Sequence, residues 1–313
     1  MYVDIARGLV FFDGKDILAR QAGLAGLSQY DPATGALTLV AGAQPDDVID
    51  HVSRDERRMA LRSSDWITVR NARRSRISVV ADGALLQQTD KYLSFWTRLD
   101  PGGRFALASV FNGKGKPVVI DLETGEHSAP LSRDADARFG DIDPIGGRLW
   151  APDDRAKDAV LRIDCATGEV QKQVFKAGDK IKRLRFSRDG AFVYVGCANQ
   201  HLLCFDRDGV QVWSANLGEI GAFHATEIYF NESGSHLCVS LGATPRSSWG
   251  EDLVLSAATG VVDCAIERHR GPPARLASDW FGDQVLTHTG EILDFYTGAL
   301  RGRLPFLPPP EPA

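Results

Sequence analysis

Cysteine is scarce in this chain, and its cysteines are widely spaced. Cys165, Cys197, Cys204, Cys238 and Cys264 are odd in number and show no CxxC or CxxxC spacing, which argues against a zinc site or a disulfide framework. Cys197 and Cys204 fall on the two arms of an expected hairpin, VYVGCANQHLLCFD, and read as buried thiols of adjacent strands. No apolar run approaches the ~18 residues of a membrane span. The start, MYVDIARGLVFFDGKD, lacks a basic segment followed by an apolar stretch and a cleavage site, so a cytoplasmic protein is expected. Excess positive charge is missing as well: the formal net charge is −5 and the pI about 5.8. That balance argues against nucleic acid or an anionic membrane as partner. No helical apolar stripe of three or more turns occurs. GxSxG, HExxH, P-loop and GxGxxG motifs with their required flanks are absent, which lowers the expectation of an enzyme.

What is present is a repeat. One turn recurs as YDPATG, IDLETG, IDCATG, FDRDG, LSAATG and FYTG, ending in Gly35, Gly125, Gly168, Gly209, Gly260 and Gly298 with gaps of 90, 43, 41, 51 and 38 residues. A second glycine series, Gly14, Gly103, Gly147, Gly190, Gly234 and Gly282, runs upstream with gaps of 89, 44, 43, 44 and 48. The two series share one phase, and both skip the second unit. Between the turns lie short segments rich in β-branched and aromatic residues, clearest in RLRFS, FVYVG, HLLCF and VQVWS. Each unit therefore reads as four strands, a to d, joined by tight turns in which glycine supplies positive φ.

A period of about 43 residues is that of a propeller blade, a sheet that cannot bury both faces alone but can do so in a ring. The fold expected is all-β, a seven-bladed β-propeller of four-stranded antiparallel blades near 7–42, 47–82, 92–132, 138–176, 180–216, 225–267 and 274–307. It forms one domain over 1–307, with a Pro-rich tail at 308–313. MYVDIA is expected to close the ring by pairing with the last blade. At pattern level most of the chain resembles the WD40 and YVTN-type repeat propellers, and IDLETGEH, IDCATGEV and FDRDGVQVW also resemble the quinoprotein-type repeat. For quinone enzymes the resemblance implies adjacent cysteines and an export signal; neither is present, and no cofactor is expected.

In such a blade the a–b and c–d turns share one end, and the b–c and d–a connections share the other. The second set is longer and irregular: 81–92, 111–116, 153–158, 216–226, 242–252 and 267–275. Irregular connections on a rigid scaffold are where binding usually resides. Trp249, in a Pro/Ser/Gly stretch with Arg246, Glu251 and Asp252, is the expected anchor of an interface, with His224 and His269 on the same end. His288 shares that end, but the spacing of the three histidines implies no metal site. A second candidate is basic: between Ser53 and Arg76 eight arginines face three acids, a local balance of +5. Arg54, Arg57 and Arg58 are placed in an a–b turn and Arg73, Arg74 and Arg76 in a c–d turn, side by side on one edge. Clustered guanidinium groups suit carboxylates or phosphates.

The expected function is a non-enzymatic interaction module, a monomer that binds a protein partner of acidic character as a scaffold or as a neutralising partner. The alternative is a propeller hydrolase resembling the sugar-lactone lactonases, for which Asp153, Asp154, Asp158, His224, Glu251, His269 and His288 are the available acid and base groups.

Overall fold

A computed structural model describes residues 2–4, 9–12, 27–31, 33–40, 47–52, 58–65, 74–81, 84–89, 94–100, 104–110, 117–126, 128, 131, 135–136, 139–171, 174–220, 225–231, 233–241, 251–267, 283–286 and 291–303. These residues form an all-β chain of antiparallel sheets, with a 3-10 turn at Leu217–Ile220 and no α-helix among them.

Sheet one holds β1 (Tyr2–Asp4), β2 (Leu9–Phe12), β3 (Ser28–Asp31) and β4 (Ala36–Leu39), and sheet two holds β5 (Asp47–Val52), β6 (Arg58–Asp65), β7 (Arg74–Ala81) and β8 (Ala84–Thr89). Sheet three has β9 (Ser94–Leu99), β10 (Phe105–Val110) and β11 (Pro117–Asp121). Its fourth position is irregular: Ser128 exchanges bonds with Val119, backbone to backbone at 2.9 Å and through its hydroxyl at 3.0 Å. Sheet four has β12 (Asp141–Ile142), β13 (Arg148–Pro152), β14 (Val160–Asp164) and β15 (Val170–Gln171). Sheet five has β16 (Ile181–Phe186), β17 (Phe192–Cys197), β18 (His201–Asp206) and β19 (Gln211–Asn216). Sheet six has β20 (Ala225–Phe230), β21 (His236–Leu241), β22 (Glu251–Ser256) and β23 (Val262–Glu267). Among the described residues sheet seven has β24 (Gln284–Leu286), β25 (Glu291–Asp294) and β26 (Leu300–Arg303).

Neighbouring sheets pack face to face in chain order. Leu107 and Val119 of sheet three join Leu149, Leu161 and Ile163 of sheet four. Trp150 and Val160 of sheet four join Leu184, Val193, Val195 and Phe205 of sheet five. Tyr194, Leu202 and Cys204 of sheet five meet Ile228, Leu237, Val239, Leu253 and Leu255 of sheet six, and Tyr229, Cys238 and Val254 of sheet six meet Phe295 after β25. Alternation along each strand sends one residue to each neighbour. Val193 and Val195 face sheet four while Tyr194 faces sheet six, so a strand apolar throughout, such as FVYVGC, is buried on both faces.

The turn series holds in most units. Gly35, Gly125, Gly168, Gly209, Gly260 and Gly298 all have φ between 66° and 83°, where a side chain would be strained. Three expectations are corrected. The N-terminal segment does not pair with the last sheet: Tyr2 pairs with Phe11 and Asp4 with Leu9, so it is the first strand of sheet one, while Gly14 lies outside the described residues. Secondly, 81–92 is no loop. It holds β8, which pairs with β7 with Ala81 opposite Ala84. Thirdly, NARRSR is not a c–d turn. Residues 66–73 connect β6 to β7, and Arg74 and Arg76 lie in β7 itself.

Candidate functional site

Each sheet presents two ends, and the first is built from aspartates. In five units the Asp at the end of strand c accepts a backbone N–H two residues on: Ala33 to Asp31 (2.9 Å), Glu123 to Asp121 (2.8 Å), Ala166 to Asp164 (3.0 Å), Asp208 to Asp206 (2.9 Å) and Tyr296 to Asp294 (3.0 Å). An arginine braces three of them: Arg104 at 3.2 Å from Asp121, Arg148 at 3.8 Å from Asp164 and Arg301 at 2.6 Å from Asp294. The Arg301 bond, then the Thr297 amide and hydroxyl, hold the Asp294 carboxyl at about 2. Carboxylates held this way stay ionised at neutral pH and serve the turn.

At the same end the seam between sheets four and five carries three arginines. Arg207 clasps Asp143 with both arms, Nη1 to Oδ1 at 2.9 Å and Nη2 to Oδ2 at 2.6 Å, and donates to the Gly190 carbonyl at 2.8 Å. Burial opposes the Asp143 charge, but the Arg207 hydrogen bond, the Ile145 and Gly146 amides and the Arg207 charge outweigh it, so the carboxyl titrates below its usual range. Arg162 lies across from Trp150, its guanidinium 4.6 Å from the ring centroid. Burial first, then the charge of Arg148, push its pKa down. The Nε of Arg162 and the Nε1 of Trp150 are buried without a hydrogen-bond acceptor. Nearer the inner strands Arg185 reaches Asp141 at 3.5 Å, and the Phe186 amide donates to that carboxylate at 2.9 Å.

Further seams are tied by single polar contacts. Trp213 Nε1 donates to the Ala257 carbonyl at 3.1 Å, and Asn231 Nδ2 to the Tyr296 hydroxyl at 3.1 Å. Ser235, His236 and Asp263 form a chain, Oγ to Nδ1 at 2.8 Å and Nε2 to Oδ2 at 3.2 Å. The Ser235 hydroxyl also accepts from Asn231 Nδ2 at 3.0 Å and meets the Ser233 hydroxyl at 2.8 Å, and the His236 ring packs edge-on to Tyr296. This cluster locks a turn of sheet six onto sheet seven.

Exposed large hydrophobic residues gather at this turn end. Ile145, Phe192, Val210, Val212 and Val261 belong to, or directly adjoin, the a–b and c–d turns of sheets four to six, whereas Leu39 closes the outer strand of sheet one. Ile145 and Arg207 are neighbours, since a side chain on Gly190 would meet both, at 3.1 and 3.2 Å. The pattern that places Arg162 was readable: Val160, Arg162 and Asp164 share a face by period two, opposite Pro152, Trp150 and Arg148. What it could not show was that Arg207 of the next sheet arrives at the same place.

Of the residues expected in irregular connections, His224, Arg246, Trp249, His269 and His288 lie outside the described residues. Glu251 is described in backbone only; it begins β22 opposite Glu267 and is not in a loop. Asp252 follows it and is buried. Asp153 is buried as well, accepting the Arg155 amide at 3.0 Å, while Asp154 is exposed and Asp158 half-buried. Among the described residues no three His, Cys, Asp or Glu side chains are arranged to hold a metal.

The basic cluster is divided rather than gathered. Arg58 pairs with Ala81 at one end of the β6–β7 ladder, while Arg74 pairs with Asp65 at the other and Arg76 with Ser63. Seven strand steps put Arg58 and Arg74 about 23 Å apart. Arg54, Arg57 and Arg73 lie outside the described residues. The single patch is corrected because Arg58 opens β6 whereas Arg74 and Arg76 lie within β7, at the far end of the ladder.

No protein-family model matches the chain, and no curated protein matches it in sequence. Solved structures do match its fold. The β-propeller domain of Swd1 from Myceliophteria thermophila aligns over 95% of this chain and 92% of its own, with a TM-score of 0.64 at 13% identity. The periplasmic gluconolactonase of Pseudomonas aeruginosa covers 89% and 90% at TM-score 0.61 and 17% identity. A candidate 6-phosphogluconolactonase of Bacteroides uniformis covers 88% and 90% at 0.59 and 16%. Identities this low bear on fold alone.

Proposed function

We propose that this WD40/YVTN-like β-propeller closes its sheets into a seven-bladed ring and works as a non-enzymatic interaction module for an acidic protein partner. One observation carries the reading: Ile145, Phe192, Val210, Val212 and Val261 are exposed along the turn end of sheets four to six, where Ile145 adjoins Arg207 and where Arg148 and Arg162 share one face of sheet four. Apolar side chains interleaved with arginine are what protein interfaces favour. Asp143 and the strand-end aspartates are engaged in a clasp and in turns, which leaves Arg148, Arg162 and the apolar groups to meet a partner. Arg246 and Trp249 are proposed as anchors of a second contact at the opposite end.

The test is affinity capture from the native cell extract with three proteins: wild type, an Ile145→Asp, Val210→Asp double variant, and a Trp249→Ala, Arg246→Ala double variant. A stoichiometric partner lost only in the first variant supports the turn end; loss only in the second moves the interface to the loops. Absence of any partner refutes the module.

A second reading, a lactonase, is favoured by the buried carboxylate of Asp153 at the loop end of sheet four together with the fold likeness to two lactonase structures. Such a site needs acid and base groups converging at the mouth of the ring. Opening of gluconolactone that is abolished by Asp153→Asn would establish it.

A further inference from the structure

We infer that the seam between sheets four and five, at the turn end, takes the carboxylates of an acidic peptide segment, with Arg148 and Arg162 as its paired anchors. The inference rests on the interaction reading and names the chemistry of the contact. Arg148 and Arg162 project from neighbouring strands onto one face of sheet four, Arg148 opposite Asp164 and Arg162 two positions along from it. Neither donates a hydrogen bond to a described residue: Arg148 stands 3.8 Å from Asp164, beyond hydrogen-bond distance, and Arg162 has only the Trp150 ring beneath it.

Two of the nearby acids are already engaged. Asp143 is taken on both oxygens by Arg207, and Asp164 Oδ1 accepts the Ala166 and Thr167 amides. Three guanidinium groups therefore crowd one seam, two of them with unused donors. Crowded like charges and unfilled donors weaken a fold unless an anion completes them. The Nε of Arg162 is buried, so a carboxylate would meet this half-buried guanidinium at the fork of its terminal nitrogens. A carboxylate fits that fork with two parallel bonds.

The surroundings favour a peptide over a free dianion. Asp208 lies within electrostatic reach of Arg162, and a compact double charge would feel its repulsion more than singly charged groups spread along a chain. Ile145, 66% exposed and adjacent to Arg207, offers apolar contact on the same rim.

The experiment titrates the intact protein into an end-blocked, fluorescently labelled hexaglutamate peptide at low salt and reads anisotropy. Binding should weaken at least about five-fold in Arg148→Gln and in Arg162→Gln, and stay within about two-fold in Arg104→Gln, whose guanidinium braces Asp121 on sheet three. Arg162→Lys keeps the charge without the fork and should fall between; it also serves should Arg162→Gln unfold, which circular dichroism checks. Millimolar inorganic phosphate should not displace the peptide. No binding by wild type, equal binding by both Gln variants, equal weakening by Arg104→Gln, or displacement by phosphate overturns the inference. Because the probe is synthetic, these failures leave the interaction reading to its own capture test.

Discussion

Removing Arg207 should expose how much the inter-sheet clasp contributes. The Asp143 side chain is 3% exposed and Arg207 about a third, so Arg207→Met strands a buried carboxylate whose remaining donors include the Ile145 amide at 2.9 Å. Breaking a buried pair on one side costs about 3–5 kcal/mol; solvent access at Arg207 puts the expectation at the low end, about 3 kcal/mol. With an unfolding entropy near 2 cal/mol/K per residue, that lowers Tm by about 5 °C if the sheets unfold together. The pH dependence carries a sign. In the wild type the Asp143 carboxyl titrates below its unfolded value, so its contribution is present above pH ~4 and lost as pH falls through the folded value. In the variant burial is opposed only by the amides and the carboxyl titrates higher, so the deficit should be largest at pH 7 and shrink toward pH 4.5. Adding Asp143→Asn removes the stranded charge and should recover part of the loss. Thermal melts followed by tryptophan fluorescence at both pH values are the assay. A variant within 1 °C of wild type, or a deficit equal at both pH values, would refute the reasoning.

Gly260→Ala should destabilise far more than Gly35→Ala although both turns have φ of +71°, because a Cβ at 260 would come within 2.5 Å of the Trp213 ring whereas nothing lies within 4 Å at 35; the difference in Tm measures it. Trp213→Phe keeps much of the packing but loses the bond to Ala257, and should cost about 1 kcal/mol in urea denaturation. Asp294→Asn should leave the protein less sensitive to acid between pH 4 and pH 2, since a carboxyl held at about 2 contributes above its unfolded value and is lost as pH falls through the folded one. Burial pushes Cys197 and Cys204 up to about 12 and Cys165 further. A thiol reagent at pH 8 should therefore leave these three unmodified in the native protein and label them after denaturation, and a disulfide between Cys197 and Cys204 would contradict this.

The sequence by itself determined the repeat, the strand class and the turn chemistry, because these are local. IDCATG makes its own turn: Asp164 bonds the next amides and Gly168 supplies positive φ, so its period counts the units without any knowledge of their packing. In the second unit the same local chemistry is carried by Asp82-Gly83, the only two residues between β7 and β8 in the chain, whereas NARRSR runs into β7. Partnership across sheets was not legible. Arg148, Arg162 and Arg207 are 14 and 45 residues apart along the chain, and nothing in the local spacing says that Arg207 will reach back to Asp143 of the preceding sheet. Only the stacking of one sheet on the next decided that meeting. Burial there fixes which carboxylates are consumed by clasps and which guanidinium groups are left with donors to spare, because both depend on what the neighbouring sheet places opposite them.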